Sequence, residues 1–215
     1  MKTSKRWRHH LRSVFLVTTL LGGCEREMLE HICTPVESGE LVISELRGSQ
    51  SEVDTYGQWI ELHNRSATTL NIGGIRIHLH DIADDALSDP KVIMVRDEGL
   101  TVEPGGYVVL GWQRPDQLPD HVDYGYEEDY ASNFSASGQI ALYVCNELVD
   151  YVVYQNLPTV GSLAFDGDLE LTVDANDNAN PTDVESNWCN DASPVNNPTE
   201  VGTPGTPGEQ NRPCN

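Results

Sequence analysis

Two glutamates raise the question of chemistry. Glu45 lies in Leu41-Val42-Ile43-Ser44-Glu45-Leu46, and Glu61 lies in Gln58-Trp59-Ile60-Glu61-Leu62-His63-Asn64. Two carboxyls held close can divide into a general acid and a general base, because one ionised group raises the proton affinity of the other. The plainer role for an acid inside an apolar strand pattern is structural, accepting hydrogen bonds from backbone or tryptophan N–H groups. A second constellation is Asp174-Ala175-Asn176-Asp177-Asn178-Ala179-Asn180, followed by Glu185. Asp174, Asn176, Asn178 and Glu185 fall where a calcium loop places oxygen ligands, at positions one, three, five and twelve. Against this, Ala179 occupies the position where the sharp turn needs glycine, and Pro181 stiffens the middle, so a solvated Asx-rich loop is the simpler reading.

His63, His78 and His80 are a third candidate, since three imidazoles suit zinc. His78 and His80 share one face of one strand pattern, and His63 comes from another, with no fixed register between them. The chain has no Gly-Xaa-Ser-Xaa-Gly elbow, no His-Glu-Xaa-Xaa-His pair and no phosphate loop. The residues therefore favour a non-catalytic protein with no resident cofactor, calcium being the one cation they suggest.

The five cysteines divide unevenly. Leu21-Gly22-Gly23-Cys24 follows a basic start (Lys2, Lys5, Arg6, Arg8, Arg12) and an apolar run, Val14–Leu21. That is the plan of a secretory signal, and the run is too short to span a bilayer. Leu21–Cys24 resembles the bacterial lipobox, which implies cleavage after residue 23 and acylation of Cys24. Several acyl chains on one residue anchor firmly, at about 0.8 kcal/mol per buried CH₂. Cys33, Cys145, Cys189 and Cys214 remain, an even set that allows three pairings in an oxidising compartment. Cys189 and Cys214 bracket one C-terminal loop, which favours that pair and leaves Cys33 with Cys145. The expected organisation is a signal peptide over 1–23, a lipidated tether over 24–39 and one domain over 40–215. Glu25 after the cysteine, where Asp would signal inner-membrane retention, points to the outer membrane or cell surface.

Charge narrows the partners. The 215 residues hold 13 Lys/Arg and 34 Asp/Glu. Without residues 1–23 the balance is 8 bases against 34 acids. Such a field repels nucleic acid phosphates and anionic membrane surfaces, so attachment must come from lipid.

The elements that position these residues read as strands. Apolar residues alternate in Leu41–Leu46, in Gln58–Asn64 and in Ile75–Leu79, with Val92–Val95 and Tyr107–Gly111 as further strands. In the second of these Trp59, Glu61 and His63 share one face, and Ile60 and Leu62 the other. Gly73-Gly74 and Pro104-Gly105-Gly106 mark turns. Residues 81–90 read as a polar loop, and 112–137 as a long loop rich in acid and tyrosine. Gln139–Cys145 and Val149–Tyr154 flank Asn146-Glu147 as a hairpin. Gly161–Phe165 and Leu169–Val173 are candidates to pair at the end. Many short strands without intervening helices argue for an all-β sandwich or barrel.

Several of these segments, in order, resemble the lamin-tail domain. They are Val42-Ile43-Ser44-Glu45, Gln58–Asn64, Leu70-Asn71-Ile72-Gly73-Gly74 with Ile77, and Leu100–Leu110 with Pro104-Gly105-Gly106-Tyr107. Val149–Tyr154, Gly161-Ser162-Leu163, Asn187-Trp188-Cys189 and Gly205–Asn211 continue the likeness to the end of the chain. The resemblance implies an immunoglobulin-like β-sandwich that binds or tethers, and it does not imply an enzyme. The expectation is thus a lipid-anchored envelope module that binds a protein or glycan partner, with Tyr124, Tyr126 and Tyr130 as its contact residues, because tyrosine supplies rigid amphipathic area. A metal-dependent hydrolase and a carbohydrate-binding module are the alternatives.

Overall fold

Val, Ile and Leu at every second position leave one face of each strand apolar, and burying those faces together makes the fold. The computed structural model describes residues 35–83, 86–167, 185–192 and 201–214, which belong to one compact unit, His31–Asn215. In chain order the strands are β1 (Leu41–Arg47), β2 (Trp59–Asn64), β3 (Leu70–Asn71), β4 (Arg76–Ala83), β5 (Ala86–Leu87) and β6 (Lys91–Met94). Then follow β7 (Thr101–Val102), β8 (Tyr107–Gly111), β9 (Tyr124–Gly125), β10 (Gly138–Val144), β11 (Glu147–Tyr154), β12 (Ser162–Phe165) and β13 (Trp188–Asp191).

One sheet runs β13-β12-β1-β2-β8-β9, a second runs β11-β10-β4-β5 with β6 also paired to β4, and β3 and β7 pair as a short two-stranded ribbon. The facing sides of the two larger sheets supply the core. Ile43, Leu46, Ile60, Leu62, Val108 and Leu110 come from the first sheet, and Ile77, Leu79, Ile93, Ile140, Leu142 and Val152 from the second. Each such side chain contributes about 1.5–3 kcal/mol on burial. Asp150 of β11 joins the two sheets at one side, its Oδ2 accepting from the Ile43 N–H at 2.6 Å. The all-β sandwich expected from the alternation is therefore the architecture of the chain.

Details depart from the sequence reading. The β10–β11 hairpin turns on Cys145 and Asn146, both with positive φ (53° and 71°), one residue earlier than the alternation places it. Two successive positive φ values match the right-handed twist of the strands. Part of the 81–90 loop is strand: β4 runs to Ala83 and returns as β5. β12 pairs with β1 and with β13, and Leu169–Val173 lies outside the described residues. The end of the expected tether is already domain, because Val36 is buried and Ser38 Oγ donates to the Val149 carbonyl at 3.2 Å.

The acidic tyrosine-rich segment is the largest correction. Tyr126 and Tyr130 are 1 % and 5 % exposed, so neither stands at a contact surface. Both rings stack with Phe134, with centroids 6.4 and 6.0 Å away, and close one side of the core. The segment is pinned from several directions. β9 pairs in parallel with β8, and Gln58 bonds Ser132 O and Phe134 N at 2.7 and 3.0 Å. Asp129 takes a two-pronged bond from Arg96 and another from the Met94 N–H. Tyr124 is partly exposed, yet its hydroxyl donates to Met94 O and accepts from Arg96 N. Enclosing three rings outweighs leaving them in water, since each aromatic buries 150–250 Å².

Candidate functional site

The outer side of the first sheet gathers the polar groups of interest. Cross-strand register sets Arg47 beside Trp59 and Gly111, Glu45 beside Glu61 and Val109, and Val42 beside His63 and Tyr107. A bulge between Ile43 and Glu45 turns Ser44 and Glu45 to the same side. Period-two alternation therefore places Trp59, Glu61 and His63 on one face, as the sequence implies.

This face is covered by residues 201–214, a strap of Gly, Pro, Thr and Asn. Glu45 Oε1 accepts from the Ser162 hydroxyl and from the Thr206 N–H at 3.2 Å. Glu61 accepts from Ser44 Oγ at 2.6 Å and from the Gly208 N–H at 2.6 Å. Asn211 donates to Ser44 O at 2.8 Å, which aims its Oδ1 at Thr206 Oγ1, 3.0 Å away. Gly205 has φ +88° and sits where a Cβ would strike Glu45 Oε1 and Ser162 Oγ. The strap is tied at its end by the Cys189–Cys214 disulfide and by the Cys214 N–H, which donates to Asp166 Oδ1 at 3.1 Å.

Both carboxyls are fully buried. Burial raises Glu45 from the ordinary 4.5 to about 7, against hydrogen bonds that lower it. Burial, then the neighbouring Glu45, raises Glu61 as well. Two like charges at one cross-strand position cannot both ionise cheaply in a dry site, so the pair keeps at least one proton at neutral pH. The hydroxyl of Thr206 has one proton and two acceptors in reach, Glu45 Oε2 at 3.2 Å and Asn211 Oδ1. A proton on Glu45 Oε2, donated to Thr206 Oγ1 and passed on as Thr206 to Asn211, satisfies every atom of this chain. Chemically the arrangement is a sealed carboxyl pair that glues the strap to the sheet, with neither carboxyl open to solvent.

Next to it is a charge the sequence reading did not single out. The Arg47 side chain is fully buried and forks onto Asp54 (2.9 and 2.6 Å), while also donating to Gly57 O and Thr203 O. Its signal in the sequence was an arginine closing an apolar strand in a chain with few bases.

A cleft of about 160 Å³ opens beside the sealed pair, lined among others by Val42, Ser44, His63, Arg65, Tyr107 and Asp166. His63 and Tyr107 stack at 4.3 Å with ring planes 10° apart. Burial, then Arg65, lowers His63 to about 4, so its imidazole is neutral at pH 7. His78 and His80 lie on β4 in the other sheet, where His78 packs on Tyr143, so the three histidines do not converge. No group of three metal-ligating side chains occurs among the described residues.

No protein-family model matches this chain, and no curated protein matches it. The site must therefore be read from its own geometry. Of the remaining candidates, Cys24, Cys33, Asp174, Asn176 and Asn178 lie outside the described residues. Glu185 opens a short 3-10 helix, Glu185–Asn187, before β13. Cys145 is disulfide-bonded. Asn64 at the end of β2 is buried and donates to Thr68 O and Val102 O, a turn-building role.

Proposed function

We propose that this chain is a non-catalytic binding or tethering module, exported and held at an envelope surface by lipid on Cys24. The observation that carries the reading is the sealed carboxyl pair. Glu45 and Glu61 are the acids with the chemistry for general acid–base work, and the strap occupies them with Ser162, Thr206, Ser44 and Gly208 as donors. A general base needs hydrogen-bond reach to a substrate proton, and neither group has an open side. The order of segments that resembles the lamin-tail domain supports the same role, as does a lipobox-like Leu21–Cys24 for the attachment.

Fractionation of cells producing the full chain or its Cys24→Ser variant tests the attachment, and site-specific photo-crosslinking from Trp112 or Leu118, both exposed, tests for a bound partner. The reading predicts that the full chain sediments with membranes, that the variant is released, and that a discrete crosslinked species forms. A hydrolytic activity of the purified chain that disappears in Glu61→Gln would contradict it. The cleft beside the pair favours a second form of the same reading, in which the bound partner is a glycan.

A further inference from the structure

Arg65 follows directly on β2, and its backbone N–H donates to Glu40 O at 2.7 Å. Its guanidinium is about half-buried, with burial lowering its proton affinity and Asp150 opposing that effect. Of its five side-chain N–H groups, Nη1 alone has a partner among the described residues, the Gly39 carbonyl at 3.2 Å. Arg47, Lys91, Arg96 and Arg114 each form an ion pair with an aspartate, whereas Arg65, like Arg76 and Arg212, forms none among the described residues. Asp150, the acid that acts on it, is committed to the Ile43 N–H. A half-desolvated guanidinium with open N–H groups is costly to leave unmatched, and a carboxylate satisfies two of them at once.

The rest of the cleft limits what can bring that carboxylate. Val42 lies between β12 on one side and β2 and β8 on the other. On the β2–β8 side His63 and Tyr107, stacked face to face on each other, line the cleft as an aromatic pair that is uncharged at neutral pH. Tyr107 lines the cleft, and its hydroxyl has no hydrogen-bond partner among the described residues. On the β12 side the cleft is bounded by Asp166, which accepts from the Cys214 N–H, and by Gln210 of the strap, which donates to Gly167 O. An aromatic pair, a guanidinium with open N–H groups and a phenol hydroxyl without a partner among the described residues, around a space for about one ring, match a saccharide that carries an acid.

We propose that this cleft binds a carboxylate-bearing sugar, a uronate, with Arg65 taking the carboxylate and the ring lying against His63 and Tyr107. The proposal rests on the binding-module reading and names its ligand. The strap that covers the sealed carboxyl pair then also forms one rim of the sugar site.

Calorimetric titration of the full chain in detergent with methyl glucuronoside and methyl galacturonoside tests this, with methyl glucoside and acetate as comparisons. A uronoside binds, and the neutral glucoside and acetate each bind at least about tenfold more weakly, the equivalent of about 1.4 kcal/mol. Arg65→Lys keeps the charge, loses the fork and weakens uronoside binding about tenfold or more without moving the melting midpoint. Tyr107→Phe weakens it several-fold. In the unmodified chain, uronoside shifts the ring proton resonances of His63. No uronoside binding up to about 10 mM, equal binding of the neutral glucoside, or full affinity in a folded Arg65→Lys variant each overturns the assignment. Those results leave the binding-module reading standing, because membrane release and crosslinking judge that separately.

Discussion

Replacing Glu45 by glutamine should stabilise the protein at alkaline pH and leave it unchanged at acid pH. The wild-type carboxyl has its affinity for a proton raised from 4.5 to about 7 by burial. Between those values the folded chain keeps a proton that the unfolded chain has released. The unfolded state then binds fewer protons, so stability falls as pH rises through that window and levels off above it. A shift of that size is worth about 3 kcal/mol for a group this deeply enclosed. Glutamine reproduces the protonated form: its Oε1 accepts from Ser162 and the Thr206 N–H, and its Nε2 donates to Thr206 Oγ1, which keeps its bond to Asn211. It has no proton to lose. Urea denaturation at pH 4 and pH 8 provides the assay. The two proteins should match at pH 4, and Glu45→Gln should lead by about 3 kcal/mol at pH 8, or about 6–12 °C in melting midpoint. Parallel pH profiles, with the variant weaker by the same amount throughout, would refute the proton assignment.

Other outcomes follow from the same face. Asp54→Asn strips the buried Arg47 of its carboxylate and should cost about 3–5 kcal/mol in urea denaturation, because an uncompensated charge is left inside. Gly205→Ala forces a side chain into the left-handed region against Glu45 and Ser162, and should cost about 1–3 kcal/mol and expose residues 201–214 to limited proteolysis. Cys214→Ser opens a loop between positions 25 apart, which should lower stability by about 3 kcal/mol on a chain-entropy basis, measured by the same denaturation. Tyr124→Phe loses bonds to Met94 O and Arg96 N and should cost about 1 kcal/mol without changing partner binding, which crosslinking yield would report.

The strands were legible because their cause is local. Ile60 and Leu62 alternate with Trp59, Glu61 and His63, and that pattern suffices to orient β2. Loop bracketing was enough to find Cys189 with Cys214. The covering of the outer face was not legible. Its key donors are the backbone N–H groups of Thr206 and Gly208, which every residue but proline possesses. The available hint was the reverse one, two acids inside apolar strands that had to find donors somewhere. Tyr126 and Tyr130 misled because an acidic, turn-rich segment reads as exposed. The anchors that turn them inward, Gln58 and the Arg96–Asp129 pair, are remote in sequence. Arg65 stood unnoticed because nothing in a linear pattern shows which cation is left half-buried with open N–H groups.

Amide hydrogen exchange at Thr206 and Gly208 tests most directly whether the C-terminal strap is an integral layer sealing Glu45 and Glu61. Both N–H groups should exchange as slowly as those of the β1–β2 ladder, and Glu61 substitution by alanine should accelerate Gly208. Exchange at the rate of an unstructured tail, with the β1–β2 amides still protected, would contradict the account and return both carboxyls to the list of groups able to do chemistry.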